Sequence, residues 1–451
     1  MKEINQSIFK AYDIRGIYPE QIDADLVYKI AQAYAKFIQP KTVAVGHDMR
    51  LSGEEFKEAL VRGLTDAGVD VVDLGLVSTD TIYFAVPFLG LDGGLQATAS
   101  HNPKEYGGLK MVREQGRPIS GDTGIYTIRD LVVNGQWETT VEKKGSVEKK
   151  NVLEDYYAHV LKTFDVTKIK PLRIVANANY GMANPAIEKL KTILPVEFVK
   201  VINDHLDGNF PKGPSDPLLP SNRPETITAI QELKPDLGVA WDGDADRCFF
   251  FDEHGQFVTP AYVNALLSQY YLQKFPGAKI LHDTRVVRVI DQVVRENGGV
   301  SIMTKAGHSF IKERMMKEDA IFGSETSGHY YFKDNYYLDN GLFPFMAMLD
   351  IISSANKPFS EILRPLREQF YISEEINFSF SNTNILDEIK NKYPNATIEN
   401  IDGYDFNYPD WRFNVRISNT QNLLRINLEA NSAELLKQKT EEVSGLIEKI
   451  K

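Results

Sequence analysis

Cysteine is almost missing from this chain: its 451 residues contain one, Cys248. A lone cysteine allows no intrachain disulfide and no cysteine-based zinc site. It stands in the apolar run "CFFF", where a buried structural thiol is expected in place of a nucleophile. No apolar stretch approaches the roughly 20 residues that span a bilayer. The opening "MKEINQSIFKAYDIRG" lacks the apolar core of a signal peptide. Long runs of Lys or Arg are missing too, and the formal net charge is −11. That balance argues against nucleic acid and anionic membrane surfaces as partners. An anionic substrate would need a local basic pocket to draw it against the field of the whole molecule. Low-complexity segments are also missing. A cytoplasmic protein is the expectation.

What remains is an ordinary globular composition, 43% hydrophobic and 25% charged. The length exceeds what one core supports, so several domains are expected. In residues 1–147, "DADLVYKIAQAYAKFI" and "GEEFKEALVRGLTDAG" carry apolar residues at helical spacing, the second ending at Gly68. "TVAVG", "VDVVDLG" and "GGLQATAS" read as strands. This order favours an open α/β sheet with helices on its faces. The polar stretch "VNGQWETTVEKKGSVEKKNV" closes the unit. Residues 148–252 repeat the style, with "LEDYYAHVLKTF" and a segment from Asn184 as helices and "LRIVANA", "VEFVKVI" and "DLGVAW" as strands. A third unit, 253–368, has "AKILHDT" and "DAIFGSE" as strands. Residues 369–451 differ, with β patterns around "EEINFSFS" and "WRFNVRIS" before a C-terminal helix. The expectation is three α/β domains with mixed sheets and a C-terminal α+β domain. No direct self-similarity is apparent among the first three.

Four loops carry chemistry. In "TASHNP", 98–103, Ser100 precedes His101, but neighbouring side chains diverge on most backbones, so a serine–histidine relay is not the expected use. In "VAWDGDADRCFFF", a strand ends at Trp241 and Asp242, Asp244 and Asp246 alternate behind it. Three carboxylates converging from an extended turn suit Mg²⁺ or Ca²⁺. An EF-hand would want Gly where Arg247 stands, and strands replace its helices. A haloacid-dehalogenase phosphatase would have no use for TASHNP. Arg247 can clamp a phosphate that bridges to the metal. In "GSETSGHYYF", Glu325, Ser327 and His329 alternate and are expected to face one way, offering an acceptor and a hydroxyl to a sugar diol. In "RISNTQNLLR", Arg416 and Arg425 flank Ser418, Asn419 and Thr420, the makeup of a phosphate cradle.

Together with "FKAYDIRG" and "GGLK", these motifs resemble the α-D-phosphohexomutases, in their phosphomannomutase/phosphoglucomutase branch, in order and approximate spacing over essentially the whole chain. The resemblance implies four domains around a central cleft and a phosphoserine at Ser100. Asp242, Asp244 and Asp246 would hold Mg²⁺, with Ser100 contributing through its phosphate. Arg15 and Arg247 would steady that region, Lys110 would assist proton transfer, and His329 would lie beside the substrate. Tyr12, Arg285, His308, Glu325 and Ser327 would contact substrate. Arg416, Ser418, Asn419, Thr420 and Arg425 would bind the phosphate that is not reacting.

The implied reaction interconverts hexose 1-phosphate and hexose 6-phosphate, of mannose or glucose, through a hexose 1,6-bisphosphate that turns around between two transfers. A monomer is expected, with a dimer as the alternative. Three departures stand out: Gln421 and Asn422 follow the SNT core, Thr326 separates Glu325 from Ser327, and Arg285 stands where the family often has Lys. Thr326 leaves the sugar open. Phosphoglucosamine mutase is the alternative within the family, and a Mg²⁺-dependent sugar phosphatase the alternative outside it.

Overall fold

The computed structural model describes residues 4–139, 141–418 and 423–451; Asn419, Thr420, Gln421 and Asn422 lie outside the described residues. The chain divides into two compact units, one formed by residues 1–258 and 327–359, the other by 259–326 and 360–451.

The first unit opens with a sheet of β1 (Ile14–Ile17), β2 (Thr42–His47), β3 (Asp70–Leu76), β4 (Gly93–Ala97), β5 (Tyr106–Arg113) and β6 (Val147–Lys149), in the order β1-β5-β4-β2-β3-β6. The central strand β2 runs parallel to β3 and β4, and β5 returns antiparallel to β4. A parallel strand covered on both faces reads as a continuous apolar run, and β2 is buried from Val43 onward. The helix Ala24–Ile38 begins where the Asp23 side chain accepts from the Leu26 N–H at 2.9 Å, and it buries Leu26, Val27, Ile30 and Tyr34, one face at helical spacing. Strand β6 was not apparent in the sequence, because all three of its residues are exposed and only its parallel pairing with β3 marks it. It straddles the expected boundary at 147.

A second sheet follows, with β7 (Arg173–Asn177), β8 (Glu197–Ile202), β9 (Leu237–Trp241), β10 (Cys248–Phe251) and β11 (Phe257–Val258) in the order β11-β10-β9-β7-β8. Trp241 pairs with Cys248 across antiparallel β9 and β10, so DGDADR is the turn between them. Cys248 is buried, and burial followed by the nearby Asp242 charge pushes its thiol pKa well up, as suits a structural cysteine.

In the second unit β12 (Lys279–His282) lies between parallel β13 (Val300–Met303) and β14 (Phe322–Ser324). The hairpin of β15 (Tyr330–Phe332) and β16 (Leu338–Asp339) belongs to the first unit. The C-terminal region is all antiparallel: β17 (Tyr371–Ile372), β18 (Ile376–Ser379), β19 (Thr397–Glu399), β20 (Tyr404–Asn407), β21 (Trp411–Ile417) and β22 (Leu423–Ala430), then the helix Ala433–Ile450. Phe413 stacks on Phe406 at 4.4 Å within its core. Three α/β domains and an α+β domain are thus present, as expected. Among the described residues no helix is long and apolar enough to cross a membrane.

The expected lack of self-similarity is corrected. His47-Asp48-Met49-Arg50 begins on the last residue of β2 and His282-Asp283-Thr284-Arg285 on the last residue of β12, each at the carboxyl end of a strand with parallel neighbours on both sides. Open α/β sheets bind ligands at such ends.

Candidate active site

In the first unit, the TASHNP loop leaves the carboxyl end of β4 and meets the turn after β9. Ser100 is fully buried, and its Oγ donates to Asp242 Oδ2 at 3.0 Å. Its φ is +50°, a left-handed conformation that a residue with a Cβ rarely adopts. That backbone overturns the expectation of divergent neighbours, since Ser100 Oγ lies 3.2 Å from His101 Nδ1. Burial, then the charges of Arg247 and Arg15, push the His101 pKa well below its usual value, so its imidazole is neutral. Gly243 makes the approach of the two loops possible, because a Cβ there would come within 2.8 Å of the Ser100 carbonyl oxygen.

Asp242, Asp244 and Asp246 are all fully buried, with oxygens within 4.8 Å of one another. Burial, then the charges of Asp244 and Asp246, raise the Asp242 pKa well above the carboxylate range. Thr79 Oγ1 donates to Asp244 Oδ2 at 2.5 Å, and Lys110 Nζ, on β5, donates to the same oxygen at 2.8 Å and also to Asp246. Burial would lower the Lys110 pKa, but the two carboxylates outweigh it and hold the ammonium charged. Asp244 Oδ1 is buried with no hydrogen-bond partner. Three crowded carboxylates, one with an oxygen to spare, fit a hard divalent cation, and they can hold a metal ion.

Arginines surround this cluster. Arg15 Nε donates to Asp13 Oδ2 at 2.7 Å and its Nη1 to Asn102 Oδ1 at 2.5 Å. The Arg247 backbone N–H donates to Asp242 Oδ1 at 3.2 Å, and its Nε lies 3.3 Å from His329 Nε2. Ser327 Oγ lies 2.9 Å from His329 Nδ1. Tyr12 is half-buried in the bend before β1.

Glu325 is buried. Its Oε1 accepts the Gly307 N–H at 2.8 Å and stands 3.8 Å from Arg285 Nη2, within the second unit. Strand β14 ends at Ser324, and a turn with Gly328 at φ +88° follows. His308 opens the helix His308–Glu318 and is buried. On β21, Arg416 Nη1 donates to Asn414 Oδ1 and Asn427 Oδ1, each at 2.9 Å, and Arg416 pairs in register with Arg425 on β22. Sequence reasoning missed the residue between them. Glu375 accepts from Arg416 Nη2 and lies 3.3 Å from Arg425 Nη1. Ser418 follows β21; Asn419 and Thr420 lie outside the described residues.

A buried serine hydroxyl set against carboxylates and fixed cations is the equipment of a phosphoryl-transfer enzyme. The relatives make that class particular. Family models for phosphoglucomutase/phosphomannomutase α/β/α domains I, II and III match residues 6–138, 154–255 and 259–370, and the model for the C-terminal domain matches 375–446. A phosphomannomutase of Vibrio cholerae is 43% identical, covering 100% of both chains, and one of Escherichia coli is 42% identical over 97% of this chain and 98% of its own. A solved phosphoglucomutase/phosphomannomutase family protein of Burkholderia thailandensis is 33% identical with a TM-score of 0.88, covering 99% of this chain and 98% of its own. The chain belongs to the phosphoglucomutase/phosphomannomutase family. It is a phosphohexomutase, an intramolecular phosphotransferase of the isomerase class.

Proposed function

We propose that Ser100 carries the phosphoryl group and exchanges it with hexose 1-phosphate or hexose 6-phosphate, of mannose or glucose, through a hexose 1,6-bisphosphate. The observation that carries this reading is the Ser100 Oγ bond to Asp242, one of three crowded carboxylates. In the first transfer a sugar hydroxyl oxygen forms a bond to phosphorus, the bond from phosphorus to Ser100 Oγ breaks, and in net the hydroxyl proton ends on the serine. The second transfer reverses this with the other phosphate. Mg²⁺ is the ion proposed for Asp242, Asp244 and Asp246, where it would offset charge on the transferring group. Lys110 holds two of those carboxylates in place, and Arg15 and Arg247 present fixed positive charge to the phosphoryl oxygens.

His329, ordered by Ser327 and Arg247, is positioned to bind a reacting oxygen. Tyr12, Arg285, His308 and Glu325 are assigned to the sugar. Arg416, Ser418, Asn419, Thr420 and Arg425 are assigned to the non-reacting phosphate, which either end of the bisphosphate must be able to occupy. We place the enzyme in the cytoplasm as a monomer. Ser100→Ala should remove nearly all turnover while the fold is kept, and peptide mass analysis should find phosphate on Ser100 in the native enzyme alone. A Ser100→Ala enzyme with wild-type turnover would refute the assignment.

A further inference from the structure

The left-handed Ser100 must be held there by something, and the bonds to its peptide groups lead to Arg50, the last residue of the first His-Asp-x-Arg. Arg50 is 4% exposed, and its fork is taken up by the loop that carries the serine. Its Nη2 donates to the carbonyl oxygens of Ser100 at 2.6 Å and Asn102 at 2.5 Å, and its Nη1 to those of Pro103 at 2.9 Å and Tyr106 at 3.1 Å. Four carbonyls spread over seven residues are thus gathered on one guanidinium. Phe210 closes one face, its ring centre 5.0 Å from the Arg50 Cζ. Arg50 Nε lies 3.6 Å from the fully buried Asp48, whose Oδ2 accepts Thr98 Oγ1 at 2.6 Å. Thr98 Oγ1 in turn accepts the Ser100 N–H at 2.9 Å. Both backbone polar groups of Ser100 are therefore fixed, its N–H through Thr98 and Asp48 and its carbonyl by Arg50.

We infer that Arg50 is a positioning residue for phosphoryl transfer: it holds the Ser100 loop in its left-handed form and so sets Oγ against Asp242. The inference rests on the reading of Ser100 as phosphoryl carrier. A planar fork with donors in fixed directions is required to reach four converging carbonyls, and the ammonium of lysine cannot reproduce it. The contact orders the loop, both Nη atoms being committed to its backbone carbonyls. Its loss should appear in the chemical step.

The experiment compares Arg50→Lys and Arg50→Met with the wild type in steady-state turnover, alongside the rate at which a hexose 1,6-bisphosphate phosphorylates Ser100, read by intact and peptide mass. Both variants should keep a native circular dichroism spectrum. We expect kcat to fall about a hundredfold in Arg50→Lys and further in Arg50→Met, with KM changed less than threefold, on the basis that misplacing a reacting group by about 1 Å costs about that much. The rate of Ser100 phosphorylation should fall by the same factor. Wild-type kcat in either folded variant, a rise in KM that accounts for the defect, or an unchanged phosphorylation rate overturns the inference. Failure of both variants to fold overturns it too, in favour of a folding role. Phosphate found on a residue other than Ser100 in the wild type would instead refute the reading of the nucleophile.

Discussion

The two His-Asp-x-Arg loops are built alike and spent differently. In each, the histidine Nδ1 lies 2.8 Å from the following carbonyl oxygen, and the arginine N–H donates to the aspartate Oδ1, at 3.0 Å for Arg50 and 2.9 Å for Arg285. In each, the aspartate Oδ2 accepts a threonine hydroxyl, Thr98 at 2.6 Å and Thr326 at 3.0 Å. The arginine Nε lies 3.6 Å from Asp48 in one and 3.7 Å from Asp283 in the other. The guanidinium ends then diverge. Arg50 is committed to four backbone carbonyls, whereas Arg285 makes one long bond, to Thr326 Oγ1 at 3.3 Å, and lies 3.8 Å from Glu325. Side-chain exposure follows, 1% against 17%. One copy turns its cation inward to fix a loop, and the other leaves its cation partly exposed. The same scaffold therefore predicts opposite kinetic signatures at equivalent positions.

Among changes made to both copies, the largest expected effect is at Asp48. Asp48→Asn removes the counter-charge of a buried arginine and leaves one acceptor oxygen for two donors, the Arg50 N–H and the Thr98 hydroxyl. Loss of such a charge-assisted bond, about 1.5–3 kcal/mol, corresponds to a ten- to hundredfold fall. It should appear in kcat with KM little changed. Asp283→Asn, the same change in the second copy, should raise KM with a smaller effect on kcat. Steady-state kinetics on the pair tests this, and two variants with the same signature would break the distinction.

Next in size is Arg285→Met. Removing a partly exposed cation assigned to substrate should raise KM about tenfold and leave the melting temperature close to wild type, because few protein bonds are lost. A large loss of stability with unchanged KM would show Arg285 to be as structural as Arg50.

How much of this was legible in the sequence depends on the kind of information involved. TASHNP and DGDADR were legible because each carries its chemistry in contiguous residues behind an apolar strand. The contact of Ser100 with His101 was not, because it follows from a positive φ that side-chain type does not specify. The turn after β14, with Gly328 at positive φ, was hidden for a similar reason. Arg50 and Glu375 are single charged residues whose burial depends on loops far away in the chain. The repeated His-Asp-x-Arg was in plain view, yet its four residues acquire meaning only when both are seen at the carboxyl end of a strand flanked by parallel neighbours.

The smallest expected effect concerns Glu375, which gives the second unit an internal anion as Asp48 gives one to the first. Burial pushes its pKa up, but Arg416, Arg285 and Arg425 outweigh that and hold it below the ordinary 4.5. If these arginines bind the non-reacting phosphate, Glu375 shares their charge with the ligand, whereas Asp48 competes with nothing. Glu375→Gln should therefore lower KM for hexose phosphates roughly threefold by relieving repulsion between carboxylate and phosphate. It should also change the acid limb of stability. As pH falls, the unfolded chain takes up this proton before the native one does. The carboxylate's contribution is thus full above about pH 5 and is lost as pH drops through the depressed native value. The variant's unfolding curve should be less stable than wild type at neutral pH and converge with it in acid. A KM that rises instead would mean that Glu375 is needed to aim Arg416 and Arg425, which would make it a second Asp48 and erase the contrast between the two units.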